Sequence, residues 1–527
     1  MNAAHDSAAL RASLAASFSG RLLTAPDEMA PYLVDYRGRW RGQALAVALP
    51  DTAHDVAAVV RWCAAHGHAV VPQGGNTGLT GASVPTEACP TVLLSLKRLT
   101  RIRAIDPVGN TMVAEAGCTL AQVQAAATEA RRLFPLSLAS EGSCTIGGNL
   151  ATNAGGVQVL AYGNMRELCL GLEAVTADGE LWQGLHALRK NNTGYDLRDL
   201  LIGSEGTLGV ITAAVLKLFA QPVAKVVALV GLGSPSAALK LLSRAQSRLA
   251  AGLTAFELIS AEAMELVQQH VPGSRLPLTT PCPWYVLLEA SSLVSEAEAR
   301  ARLEQVLTDA IDQGLIHDAV LATSLAQSRQ FWQLREQISP AQSAEGKNIK
   351  HDISVPIARI DAFIEAAEAR IRTVFPEARL VVFGHLGDGN LHFNVWPTAS
   401  PEQVFDAHFE TQEAQMNELV HDTVAAFGGA ISAEHGIGVL RRQELARYKP
   451  AVELQWMRAI KTALDPAGRM NPGKLLPPAW PAGDAPVQTG GRPASGSDCP
   501  PASPGTDTSA SSGSGSGSGC GMYVDEY

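Results

Sequence analysis

The 527-residue chain is too long for one hydrophobic core, so two or more domains are expected. Its 46% hydrophobic and 17% charged residues exclude a disordered chain, and a net charge of −10 without a long basic run argues against nucleic acid as a partner. No apolar run approaches the roughly 18 residues of a transmembrane segment. The eight cysteines are scattered without a CxxC pair or an iron–sulfur run, so a reducing, cytoplasmic address is expected.

After Asp51 the stretch DVAAVVRWCAAHG has the apolar spacing of an amphipathic helix stopped by Gly67, and HAVVPQGG then reads as a strand running into glycines. Two further glycine-dense segments follow, at 140–156 and 203–212, separated by strand-like material such as LGLEAVTADGELW. Residues 1–222 are therefore expected to form one α+β domain. From Ala224 the stretches KVVALVGLG, AALKLLSRAQSRLAAG and WYVLLEAS alternate strand and helix, and the alternation returns after His351. A second α+β domain with two related halves is expected over 223–476. The helix-like VELQWMRAIKTAL leads into DPAGRMNPGKLL, and 477–527 is a Pro/Gly/Ser-rich tail expected to be disordered.

Within the second domain, LVVFGHLGDGNLHFNVW (380–396) places Asp388-Gly389 between two apolar runs, a hairpin signal. A two-residue turn would set His385 directly opposite His392 and Phe383 opposite Asn394, with alternation putting all four on one face. Opposed Cβ atoms lie ~5 Å apart, which lets two imidazoles share a divalent ion at the ~2 Å of a zinc–nitrogen bond. The segment GGAISAEHGIG (428–438) sets Glu434 beside His435 in a glycine-flanked loop. One of these completes a three-ligand set with an open position, and the other is left to accept a proton from a hydroxyl acidified by the ion. Residue order alone leaves that split open.

The loop VPQGGNTGLTG (71–81) follows a strand, and its glycines let backbone N–H groups approach an anion such as a pyrophosphate. It is neither GxGxxG nor a P-loop. The ordered set PQGGNTGLTGASVP, GSCTIGGNLATNAGG, NNTGYDLRDLLIGSEGTLGVIT, GHLGDGNLHFN, SAEHGIG and DPAGRMNPGKLL resembles the vanillyl-alcohol oxidase (PCMH-type) flavoproteins, and within them the D-2-hydroxyglutarate and D-lactate dehydrogenase group, over roughly Pro31 to Leu476.

The resemblance implies a PCMH-type FAD domain followed by a ferredoxin-like substrate (cap) domain. It places the cofactor on Pro72, Gly74, Gly75, Asn76, Thr77 and Gly78, with flavin contacts from Gly148, Thr152, Gly155, Gly156 and Ile211. The first glycine loop has no histidine for a covalent bond, so noncovalent FAD is implied. The metal ligands become His385, His392 and Glu434, with His435 as the base. The ion expected is Zn²⁺, with Mn²⁺ and Co²⁺ as alternatives.

In FWQLREQISPAQSAEGKNIKHDISVP, Arg335, Ser339 and Lys350 match positions that hold a substrate carboxylate in related enzymes, and Asn394 joins them from the hairpin. The implied reaction is hydride transfer from a D-2-hydroxy acid to flavin N5. D-2-hydroxyglutarate leads, and D-lactate or D-malate are the alternatives. Reoxidation would use an external acceptor, electron-transfer flavoprotein or a quinone, and the assembly expected leaves room for a homodimer. Two rivals of other classes are a metal-dependent hydrolase, which predicts a colourless protein, and a non-catalytic nucleotide-binding module.

Overall fold

The computed structural model describes residues 2–398 and 407–478, and the disorder expected of the tail falls almost wholly outside the described residues. The helix Ala53–Ala65 begins where the Thr52 side chain accepts the Asp55 backbone N–H, so one orphan donor of the first turn is satisfied. Val56, Val59, Val60 and Cys63 follow at helical spacing and are all buried. Gly67, at φ +67°, ends the element in a conformation that a side chain disfavours.

This helix connects Ala46–Pro50 to Ala69–Gln73 in a four-stranded sheet ordered Gly20–Leu23, Ala46–Pro50, Thr91–Ser95, Ala69–Gln73. The last three strands are parallel, which delivers the end of Ala69–Gln73, and hence the glycine loop, to one edge. A five-stranded antiparallel sheet follows, ordered Ile102–Asp106, Thr111–Glu115, Val210–Lys217, Cys169–Val175, Leu181–Gly184. Arg103 bridges its two buried carboxylates, Glu115 at 3.1 Å and Glu173 at 2.9 Å. Unpaired, either carboxylate would cost about 3 to 5 kcal/mol.

A seven-stranded antiparallel sheet holds the rest, ordered Asp318–Leu321, Ala224–Leu232, Trp284–Ser292, Leu253–Ser260, Arg379–His385, Asn390–Trp396, Ile349–Ser354. Both its faces are covered, which is why KVVALVGL is apolar without alternation. Val226, Ala228 and Val230 pack toward the helices Pro235–Leu249 and Glu296–Asp312. Val227 and Leu229 pack the other way, with Ala261–His270 and Leu325–Glu336. The two halves expected from the sequence therefore share one sheet.

The hairpin differs from the sequence expectation in register: Phe383 faces His392 and Val381 faces Asn394. The turn spans 386–389 because the Leu386 N–H is drawn to Phe256 O at 3.0 Å and the Asp388 N–H to His385 O at 3.3 Å. A slip of two residues keeps every side chain on its expected face. The chain then returns to the first sheet, where Val70 N–H donates to Arg469 O and Asn471 N–H to Val70 O.

Candidate active site

The glycine loop is fastened by side chains that leave its backbone free. Gln73 donates to Tyr32 O and Ser83 O, and Asn76, at φ +57°, donates to Val34 O while accepting from the Ser83 hydroxyl. Among the described residues, no hydrogen bond from the N–H groups of Gly74 to Gly78 goes to a protein acceptor. A row of unused donors lining a cavity is a cradle for phosphate oxygens.

Glycine is required here by close approach. A Cβ at Gly75 would lie 2.1 Å from Ser143 O, and one at Gly74 would lie 2.4 Å from Thr145 Oγ1. The Thr145 hydroxyl is itself buried without a partner, an acceptor-donor left for a ligand. These features fit a dinucleotide. We expect Gly75→Ala to weaken FAD binding by on the order of 10- to 100-fold, from a steric penalty of ~1–3 kcal/mol. The check is the flavin-to-protein absorbance ratio after purification; full yellow occupancy would contradict it.

The cavity is lined by Pro72, Gly74 to Gly78, Gly148, Thr152 and Ile211 of the expected cofactor set, and also by His435. Gly155 and Gly156 do not line it. A Cβ on Gly155 would press on Val159 Cγ2 at 3.2 Å and stand in ordinary contact, 3.4 Å, with Glu434 Oε1, so this glycine lies beside the acidic loop. Gly156, at φ +140°, is pressed against Ser137 O.

His385, His392 and Glu434 bring one ligand atom each to within 4.8 Å of one another. His385 Nε2 and Glu434 Oε1 are already 3.5 Å apart, near the roughly 3.3 Å separation that two ligands adopt around a tetrahedral zinc. Burial raises the Glu434 carboxyl to about 7 against the pull of His385 and Arg335, so the positive charge already present falls short of holding it ionised. The donor set and this deficit fit a divalent cation.

Asp352, Glu434 and His435 form a second group of similar spread. Asp352 is less suited to bind an ion because its oxygens already accept three hydrogen bonds. Oδ2 accepts the N–H groups of Glu434 and His435, each at 2.9 Å, and Oδ1 accepts from Asn390 Nδ2 at 2.9 Å. Asp352 instead pins the loop, and its carboxylate stands 3.5 Å from His435 Nδ1. Burial pushes the His435 imidazole below its ordinary range, and Arg37, Arg441 and Lys350 push the same way against Asp352.

Glu205 fastens this loop to the flavin side. Its buried carboxylate accepts the N–H groups of Ile437 and Gly438, both at 2.7 Å, and Gly436 is a glycine because a Cβ there would meet Glu205 Oε1 at 2.8 Å. Sequence reasoning missed Glu205 and Asp352. The available signal for Glu205 was an acid inside a glycine-rich segment without a basic neighbour.

Among the expected substrate residues, Arg335 turns its Nε to Glu257 Oε2 at 2.8 Å. Lys350 has no carboxylate within ion-pair distance among the described residues, and burial lowers its ammonium to about 8. Asn394 is buried and donates to Gln342 Oε1 at 3.0 Å. Ser339 stands exposed at the start of the helix Ile338–Glu345.

Comparison with known proteins bears on the family and the fold. Residues 44–184 match the model of the FAD binding domain, and 221–475 match that of the FAD linked oxidases, C-terminal domain. The chain is 41% identical to D-2-hydroxyglutarate dehydrogenase of Xanthomonas citri pv. viticola over 86% of this chain and 94% of that relative. It is 37% identical to that of Stutzerimonas stutzeri, covering 87% and 96%, and 39% identical to the mitochondrial protein of Bos taurus, covering 87% and 81%. The solved structure of p-cresol methylhydroxylase with substrate bound aligns at a TM-score of 0.67 and 17% identity over 89% of this chain and 96% of that one, a likeness of fold.

Cradle, cap and matches define an FAD-dependent oxidoreductase of PCMH-type fold. Within that class the chain belongs to the FAD-linked oxidase family, in the group of the D-2-hydroxyglutarate dehydrogenases. Among the described residues no helix is long and apolar enough to cross a membrane.

Proposed function

We propose that the protein oxidises a D-2-hydroxy acid to the 2-oxo acid, with D-2-hydroxyglutarate as the leading substrate. The observation that carries the reading is that His435, on the loop of the acidic ligand Glu434, lines the same cavity as the glycine cradle. Proton removal and hydride loss at one carbon require that adjacency. When bound, FAD accepts the hydride at N5 and a divalent ion, Zn²⁺ first, lowers the pKa of the substrate hydroxyl.

His385, His392 and Glu434 hold the ion, and His435, neutral at pH 7, takes the hydroxyl proton. Lys350 and the Nη groups of Arg335 would receive the distal carboxylate, with Ser339 and Asn394 as further contacts. The cavity-lining stretch from Pro72 to Gly78 carries no side chain able to bond the flavin, which supports noncovalent FAD. Reoxidation would require an external acceptor, electron-transfer flavoprotein or a quinone. A cytoplasmic address belongs to this proposal, whereas the Bos taurus relative is a mitochondrial protein.

The discriminating experiment is anaerobic mixing of the yellow holoenzyme with D- and L-hydroxy acids. D-2-hydroxyglutarate should bleach the flavin fastest; bleaching only by L-acids, or by none, sinks the reading. Lys350→Met should raise KM for D-2-hydroxyglutarate by roughly 10- to 100-fold and leave D-lactate little changed. Since its lowered pKa leaves Lys350 uncharged above about pH 8, wild-type kcat/KM for the dicarboxylate should fall there, and the variant should lack that limb.

A further inference from the structure

We propose that Glu257 is a positioning residue for His385, fixing the imidazole so that Nε2 faces Glu434, with Arg335 as its charge partner. The inference rests on the metal reading above and concerns residues outside the ligand set. Glu257 lies on the strand Leu253–Ser260, directly across from His385 in the ladder, and is fully buried on a sheet face it shares with Ile259, Leu287 and Phe383. A carboxylate there is expensive unless both its oxygens are used. Both are used: Oε1 is 2.7 Å from His385 Nδ1, and Oε2 is 2.8 Å from Arg335 Nε.

An ionised carboxylate can only accept, so Nδ1 must carry the proton. In a neutral imidazole the lone pair is then on Nε2, the nitrogen 3.5 Å from Glu434 Oε1. Rotating the ring by half a turn would break the Glu257 bond and put Cε1, a carbon without a lone pair, where Nε2 now faces Glu434. Arg335 extends the brace to the second imidazole: its guanidinium lies 4.8 Å over the Phe383 ring, and Phe383 packs 4.9 Å from His392.

A purely structural Glu257, present only to neutralise Arg335, would leave metal affinity unchanged. The test is zinc affinity of the full-length, FAD-loaded protein, measured by competition with a chromogenic chelator. Glu257→Gln should weaken zinc by roughly 10- to 100-fold, the usual effect of losing an outer partner of a ligand, with flavin content unchanged. The double variant Glu257→Gln/Arg335→Met removes both charges and so avoids an unpaired buried guanidinium. It should show the same loss. Wild-type affinity in either flavin-loaded variant overturns the inference, whereas wild-type affinity in His385→Ala shows instead that the metal reading is wrong.

Discussion

His435→Ala is expected to slow reduction of the bound flavin by roughly 10² to 10⁴ while FAD and metal remain in place. The separation follows from the geometry. His435 lines the flavin cavity, its backbone N–H is held by Asp352, and its side chain is not among the three atoms gathered around His385. Burial, reinforced by Arg37, Arg441 and Lys350, lowers its pKa, so the base stays unprotonated across the neutral range. On the acid side, flavin reduction should be lost as pH falls through that lowered value, beneath the ordinary ~6.5 of an imidazole. Stopped-flow absorbance of the flavin band under anaerobic conditions reads the rate. An unchanged rate would remove His435 as the base.

The second large effect is expected at the ion. His385→Ala should weaken metal binding by more than the roughly 10- to 100-fold that loss of an outer partner costs, because it deletes a ligand and also strands Glu257. Without the ion the substrate hydroxyl keeps the high pKa of an alcohol, so flavin reduction should stall although the protein stays yellow. Metal content by emission spectrometry and flavin content by absorbance separate the two losses. A variant that retains full metal contradicts the ligand set.

The sequence carried the parts of this account that depend on local chemistry. The helix stopped by Gly67, the strand into Gly74-Gly75, and the two imidazoles on one face of the hairpin follow from spacing, glycines and alternation. The hairpin register did not follow. Asp388-Gly389 signals a tight turn, but Phe256 O lies near enough to claim the Leu386 N–H, and that oxygen belongs to a strand about 130 residues earlier. The same reason hid Glu257, Asp352 and Glu205. Each is a carboxylate unremarkable in its own segment, and each acquires its role only when the ladder or loop docking sets it against His385, His435 or the 436–438 glycine turn. Arg335 was found as a cation near the site, but its bond to Glu257 was not visible without the sheet.

The account turns on three side chains from two segments meeting at one cation next to the flavin. Anomalous diffraction at the zinc edge from crystals of the zinc- and FAD-loaded protein tests this most directly. The result predicted is a single peak within ~2.0–2.2 Å of His385 Nε2, His392 and Glu434, beside the isoalloxazine N5. A peak bound by Asp352 and His435 instead, or none near the flavin, would contradict it.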